Sequence, residues 1–195
     1  MIVHKMPLGA YQTNTYIVKD REDSALCVVI DPGYEPDTIL DELQGLTLKA
    51  ILLTHGHFDH VGAVRELVAE TGCDVYIHPA EAELPPMITA GPLYFTHTYA
   101  EGDTICPIAG LEMTVLHTPG HTPGSVCLIW GDRMFSGDTL FEGSCGRMDL
   151  PGGDHLQMHQ SLGRLVSLQA DYRIYPGHGG STTLAAEKRY NPYLQ

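Results

Sequence analysis

The sequence predicts an α/β protein with two sheets packed between helices, and three observations support this. Strand-like apolar runs alternate with helical patterns as far as His78, a meander of strands follows, and strand–helix alternation then returns. The chain has 195 residues, 43% of them hydrophobic, which suits one domain with a substantial core. Its 21 Gly and 13 Pro are scattered as turn punctuation, with no linker, internal repeat or low-complexity tract. A single domain over residues 1–195 is therefore expected. The alternation alone leaves an ordinary three-layer fold open.

The elements follow in order. The run Ala25 to Ile30 reads as a strand stopped by the turn Asp31-Pro32-Gly33. Pro36 to Gln44 places Ile39, Leu40 and Leu43 on one side of a short helix. Ala50 to Thr54 is a second buried strand. Beyond it, Val61, Val64, Leu67 and Val68 recur at helical spacing from Asp59 until Thr71-Gly72 closes the helix, with Asp59 well typed as its N-cap. Asp74 to His78 is a strand, and Glu81 to Tyr99 reads as loop with short helix. Strands are expected at Thr104–Ile108, Met113–His117, Val126–Trp130 and Arg133–Ser136. A helix over Leu156–Leu168, a strand over Tyr172–Tyr175 and a helix from about Thr183 complete the chain.

Composition narrows the function classes. Twenty-four acids against eleven Lys and Arg give a net charge of −13, a field that repels polyphosphate and disfavours a nucleic-acid partner. No apolar run approaches the roughly 20 residues that span a bilayer, and Met1 to Lys5 lacks a signal-peptide layout. A soluble, cytoplasmic protein is expected. The five cysteines form no CxxC pair and read as reduced thiols, with Cys27, Cys106 and Cys127 in the core and Cys145 more exposed in a Gly-rich loop.

The histidines carry the functional signal. His55 and His57 sit two apart past a strand, so their imidazoles can point the same way and chelate one transition metal. Asp59 and His60 follow where the chain turns into a helix. A lone His-x-His is commonly a surface loop; His-x-His-x-Asp-His between a buried strand and a helix is a ligand pattern. Three more ligand-type residues lie just past strands: His121 in His117-Thr118-Pro119-Gly120-His121, Asp138 in Ser136-Gly137-Asp138, and His178 in Pro176-Gly177-His178. Five His and two Asp exceed one tetrahedral zinc and suit two adjacent metals sharing a carboxylate. His4, His78, His97, His155 and His159 carry no such context, and His117 stands where it could support the metal loop.

His55-Gly56-His57-Phe58-Asp59-His60, His121, Asp138 and His178, in that order, resemble the signature of the metallo-β-lactamase-fold superfamily over nearly the whole chain. Asp31 after its strand resembles that superfamily's first motif, where the acid supports the site. Gly137 to Arg147 and the closing Asn191-Pro192-Tyr193-Leu194 are similar to the glyoxalase II (hydroxyacylglutathione hydrolase) branch, in its short bacterial form. The resemblance implies a four-layer αβ/βα sandwich with metals at one edge. It implies that His55, His57 and His121 hold a first divalent ion, and that Asp59, His60 and His178 hold a second with Asp138 bridging. Zinc suits this set, while iron and manganese also accept mixed His/carboxylate ligands.

The implied reaction is hydrolysis of an acyl thioester such as S-lactoylglutathione by hydroxide activated between the metals, with Asp59 helping to orient it. Arg147 matches a basic residue of the family's substrate loop and is the expected substrate contact, although Asp149 could equally hold it in an ion pair. Longer glyoxalase II enzymes carry a C-terminal helical extension that grips glutathione, and none is expected here. Two other readings stay open: a mononuclear iron persulfide dioxygenase of the same fold, resting on His55, His121 and Asp138, and a non-catalytic metal-binding protein. The common zinc β-lactamases carry Cys and Arg where Asp138 and His60 stand, so the resemblance does not point to a β-lactam.

Overall fold

Residues 2–19, which precede the first strand expected from the sequence, form an antiparallel hairpin, β1 (Ile2–Leu8) with β2 (Thr13–Lys19). The computed structural model describes all 195 residues. β2 pairs with β3 (Leu26–Ile30), and parallel strands β4 (Thr47–Leu52), β5 (Asp74–Ile77) and β6 (His97–Thr98) extend the sheet in chain order. A second six-stranded sheet contains β7 (Thr104–Ile108), β8 (Leu111–His117), β9 (Val126–Trp130), β10 (Arg133–Gly137), β13 (Arg173–Pro176) and β14 (Thr182–Thr183), in the order β14-β13-β10-β9-β8-β7. The short ribbon β11 (Leu140–Phe141) and β12 (Ser144–Cys145) stands apart from both.

The helices are α1 (Pro36–Glu42), α2 (Phe58–Val61), α3 (Val64–Thr71), α4 (Pro86–Thr89), α5 (His155–Ser167) and α6 (Leu184–Tyr190). Period-2 alternation along the strands explains the layering. Val28, Ile30, Ala50 and Leu52 face the second sheet and pack on Met113, Val115, Leu128 and Phe135. Their neighbours Cys27, Val29, Ile51 and Leu53 face the other way, onto Ile39 of α1 and Val64 and Leu67 of α3. On the far side of the second sheet, Met134 and Ile174 pack against Met158, Leu162 and Leu165 of α5 and Leu184 of α6. Helix, sheet, sheet, helix is the four-layer αβ/βα sandwich. The three-layer alternative falls because both sheets have two covered faces. No helix is long and apolar enough to cross a membrane.

Three expectations need correction. The single helix expected from Asp59 to Gly72 is two, α2 and α3, broken at Gly62-Ala63. Gly62 packs on the Gly33 carbonyl where a Cβ would collide, and Ala63 N–H donates to Pro32 O at 3.0 Å instead of continuing the helix. Asp59 is not an N-cap: His57 holds that position, and the Asp59 carboxylate meets Thr13 Oγ1 and His178 Nε2. Two of the cysteine exposures are reversed, since Cys106 is exposed on β7 and Cys145 is buried in the ribbon, while Cys27 and Cys127 are buried as expected. Cys106 alternates outward on its strand, a phase that its apolar neighbours conceal.

Candidate metal centre

The seven ligand-type residues converge at one edge of the sandwich, each on the segment that follows a strand, with Asp59 and His60 in α2. β4 leads to His55, His57, Asp59 and His60, β8 to His121, β10 to Asp138 and β13 to His178. The donors of His55, His57 and His121 lie within 4.8 Å of one another, as do those of Asp59, His60 and His178. Asp138 stands between the groups: Oδ2 is 3.4 Å from His121 Nε2 and 3.5 Å from His178 Nε2, and Oδ1 is 3.4 Å from His60 Nε2. Asp31, His55 and His60 also fall within ligand distance of each other. That third grouping is not a site, because the Asp31 carboxylate is already engaged by protein donors.

The outer nitrogens of four of the five imidazoles, those of His55, His60, His121 and His178, are tied down, which fixes which nitrogen faces inward. Nδ1 of His60 meets Asp31 Oδ2 at 3.0 Å, Nδ1 of His121 meets the Arg147 carbonyl at 2.8 Å, and Nδ1 of His178 meets the Tyr11 carbonyl at 3.1 Å. His55 Nδ1 meets Thr54 Oγ1 at 3.1 Å, whose own hydroxyl donates to Asp31 Oδ2 at 2.6 Å. On the inner side, Nε2 of His55, His57 and His121 and Oδ1 of Asp138 are buried with no hydrogen-bond partner. Four buried polar atoms stranded around one volume are costly unless a cation sits among them. The donor set, nitrogen-rich with shared carboxylates, suits borderline divalent metals.

Residues without an evident sequence signal complete the support. Thr13 Oγ1 donates to Asp59 Oδ2 at 3.2 Å. Asn14 Nδ2 donates to the carbonyls of Pro176 and Gly179, at 2.9 and 3.1 Å, and Tyr16 Oη donates to Pro176 O at 2.6 Å. β2 thus anchors the His178 loop across more than 160 residues of chain, a pairing that no local pattern announces. Glu81 is also buried here, its carboxylate accepting from the Gly56 and Gly124 amides. Arg147 places its carbonyl on His121, while its side chain is exposed and bidentate to Asp149 at 2.7 and 2.8 Å.

The electrostatics divide the histidines. Burial, reinforced by the neighbouring imidazoles, holds His55 well below its ordinary pKa and brings His57 to about 3. Burial also opposes charge on His60, but Asp138 and Asp31 outweigh it and raise its pKa to about 9. In the metal-free chain a raised group contributes stability present below its unfolded pKa of 6.5 and lost as pH rises through about 9. His55 and His57, being depressed, act in reverse: the unfolded chain takes up their protons below pH 6.5, so stability falls there. The melting temperature of chelator-treated protein is therefore expected to peak near pH 6.5 and fall on both sides. A profile flat from pH 5 to about 9 would contradict this charge assignment.

A cavity of about 510 Å³ opens onto the cluster. Its apolar wall is Tyr11, Phe58, Met87, Ile88, Phe141 and Leu150, and Cys145 and Arg147 lie on its rim. Tyr11 and Phe58 meet edge to face at 5.5 Å between ring centroids.

Residues 8–178 match the Metallo-beta-lactamase superfamily. The chain is 33% identical to hydroxyacylglutathione hydrolase GloC of Haemophilus influenzae over 100% of its own length and 98% of that protein. It superposes on the crystal structure of BLEG-1, a B3 metallo-beta-lactamase, with a TM-score of 0.89 and 35% identity, covering 99% of each chain. It also superposes on TTHA1623 in a di-iron-bound form with a TM-score of 0.85 and 42% identity, covering 98% of this chain and 100% of that one.

Proposed function

The chain belongs to the metallo-beta-lactamase superfamily, and from that premise we propose that it is a dinuclear metal-dependent hydrolase of the glyoxalase II-like branch. The proposed substrate is S-lactoylglutathione or a related acyl thioester. The observation that carries the reading is the pair of donor trios flanking Asp138, with four inward atoms buried and unpartnered. In this assignment His55, His57 and His121 hold one divalent ion, Asp59, His60 and His178 hold the other, and Asp138 spans them. Zinc is the proposed ion, and the di-iron form of TTHA1623 makes iron the alternative. Two such ions, when bound, supply carbonyl polarisation and a water whose pKa falls toward neutrality.

The protein's own groups account for the rest. The Asp59 carboxyl is opposed by burial, yet the His178 hydrogen bond and the nearby His60 hold it well below its usual range, so it stays ionised. It lines the cavity, where an ionised carboxylate accepts a proton-bearing contact from the attacking water and orients it. A thiolate leaves without a strong general acid, and none is needed beside the cavity. The apolar wall receives the acyl arm and excludes bulk water. Arg147 is the proposed grip on a substrate carboxylate. It must exchange Asp149 for that carboxylate, so its contribution is small: Arg147→Ala is expected to raise KM about 3–10-fold with kcat unchanged, as for an exposed ion pair.

The test is metal content of the purified protein, followed by turnover of S-lactoylglutathione, glutathione persulfide with oxygen uptake, and a β-lactam. Two ions per chain and chelator-sensitive thioester hydrolysis are expected. One iron with oxygen consumption would replace this reading by a persulfide dioxygenase, and β-lactam turnover alone would move the chain beside BLEG-1. Metal binding with none of the three activities would make it a metal-binding protein.

A further inference from the structure

We propose that Glu81 is a positioning residue that ties together the two loops carrying His55, His57 and His121, and so sets the affinity of that imidazole trio for its ion. The proposal rests on the metal-centre reading above. The trio is assembled from loops far apart in sequence, one after β4 and one after β8. Glu81 lies between them, in the 3-10 turn Pro79–Glu83 that follows β5, and is completely buried.

Its two oxygens are divided between the loops. Oε2 accepts from the amide of Gly56, the residue between His55 and His57, at 2.6 Å. Oε1 accepts from the amide of Gly124, three residues beyond His121, also at 2.6 Å. These are short, charge-assisted bonds, stronger than ordinary amide–carbonyl pairs. Both glycines are needed for the approach: a Cβ on Gly56 would lie 3.0 Å from Oε2, and one on Gly124 would lie 2.7 Å from Oε1.

No Lys or Arg forms an ion pair with this carboxylate, and a buried acid held only by neutral donors is expensive. An apolar residue in the same turn would fill the volume without that cost. What a carboxylate adds is a two-armed acceptor of fixed span. It locks the Gly56 and Gly124 amides, and with them the flanking imidazoles, at one separation. A side-chain amide cannot substitute. Gln in this place keeps one acceptor and turns an N–H toward the other backbone N–H, so one loop is released.

The test is a Zn²⁺ titration of the full chain against a chromophoric chelator, with Glu81→Gln made in the wild type, in His178→Ala and in His57→Ala. In the wild type, one of two binding steps should weaken about 10–100-fold and the other should hold. In His178→Ala, which keeps the trio, the same loss should appear; in His57→Ala, which lacks it, Glu81→Gln should change nothing. Amide NMR shifts of Gly56 and Gly124 should move upfield in Glu81→Gln before any metal is added. Gly124→Ala, which displaces the same carboxylate from one loop, should reproduce the selective loss and serves if the Gln variant does not fold. Equal weakening of both steps, or of neither, overturns the proposal. If the wild type binds one ion only, the dinuclear reading fails, and the comparison across His178→Ala and His57→Ala still decides the role of Glu81.

Discussion

Asp138→Ala is expected to remove bound metal and thioester hydrolysis together, with turnover falling about 10³-fold or more. Asp138 approaches His60, His121 and His178 within 3.5 Å, so it is the one carboxylate within reach of both donor groups. Its loss leaves three imidazoles on one side and a mixed trio on the other, with nothing to neutralise two dications held side by side. The Cβ of alanine introduces no clash, and Gly177, which packs on the Asp138 side chain, gains room. The fold should therefore survive, and circular dichroism should match the wild type. Metal analysis should fall from two ions per chain to one weakly held ion or none. Full activity in a variant with no detectable metal would refute the proposed chemistry. Asp138→Asn separates charge from shape: it keeps an acceptor oxygen in place and should retain more metal than the alanine variant while remaining poorly active.

A second large effect is expected at Asp31, this time on stability. Its carboxylate accepts from the Thr54 amide at 2.7 Å, the Thr54 hydroxyl at 2.6 Å and His60 Nδ1 at 3.0 Å, all buried. Its backbone adopts a left-handed φ of 51°, which Asp and Asn adopt at lower cost than Ala. Asp31→Ala strands three donors and strains the turn, so it should cost about 3–5 kcal/mol of the unfolding free energy, a large part of a typical domain's total. Urea unfolding of the chelator-treated variant measures this directly, and a loss below about 1 kcal/mol would show that the network is dispensable. Asp31→Asn keeps the backbone preference and the volume. Its NH₂ can face His60 Nδ1 only if that nitrogen becomes an acceptor, which sends the imidazole proton to Nε2, the side facing His178 and Asp138. The asparagine variant should thus stay folded and lose one ion.

The longer strands from Ala25 onward and the seven ligand-type residues were readable because each is a local signal: an apolar run ending in a turn, then a ligand-type side chain. Their convergence was legible from the shared context of strand ends. What stayed hidden depends on non-local contacts. The hairpin of β1 and β2 mixes polar and apolar residues, because β2 buries Thr13, Asn14 and Thr15 for the metal loops and not for the core. The break between α2 and α3 is set by the approach of Gly62 to Gly33, invisible to a helical period that runs straight through it. Glu81 reads in sequence as one more acid in an acidic chain; only the fold places it between two glycine amides. Arg147 is paired to Asp149, as one of its two sequence readings had it, and lines the cavity; its contact with substrate is a proposal.

The spread of the donors along the chain also orders events during synthesis. His55, His57 and His121 have all been made 57 residues (178 minus 121) before His178 appears, a gap of roughly 3–11 s at ribosomal speeds. Asp138 follows within 17 residues (138 minus 121) of His121, but its strand β10 lies beside β13, which is made much later. The bonds from Asn14 and Tyr16 to Pro176 join residues translated at least 160 positions apart. A nascent chain can thus gather an imidazole trio while the neighbouring pocket still lacks its closing loop. On the proposed two-ion assignment, loading would acquire a sequence in time, the second pocket being sealed by the same contact that joins the hairpin of β1 and β2 to β13.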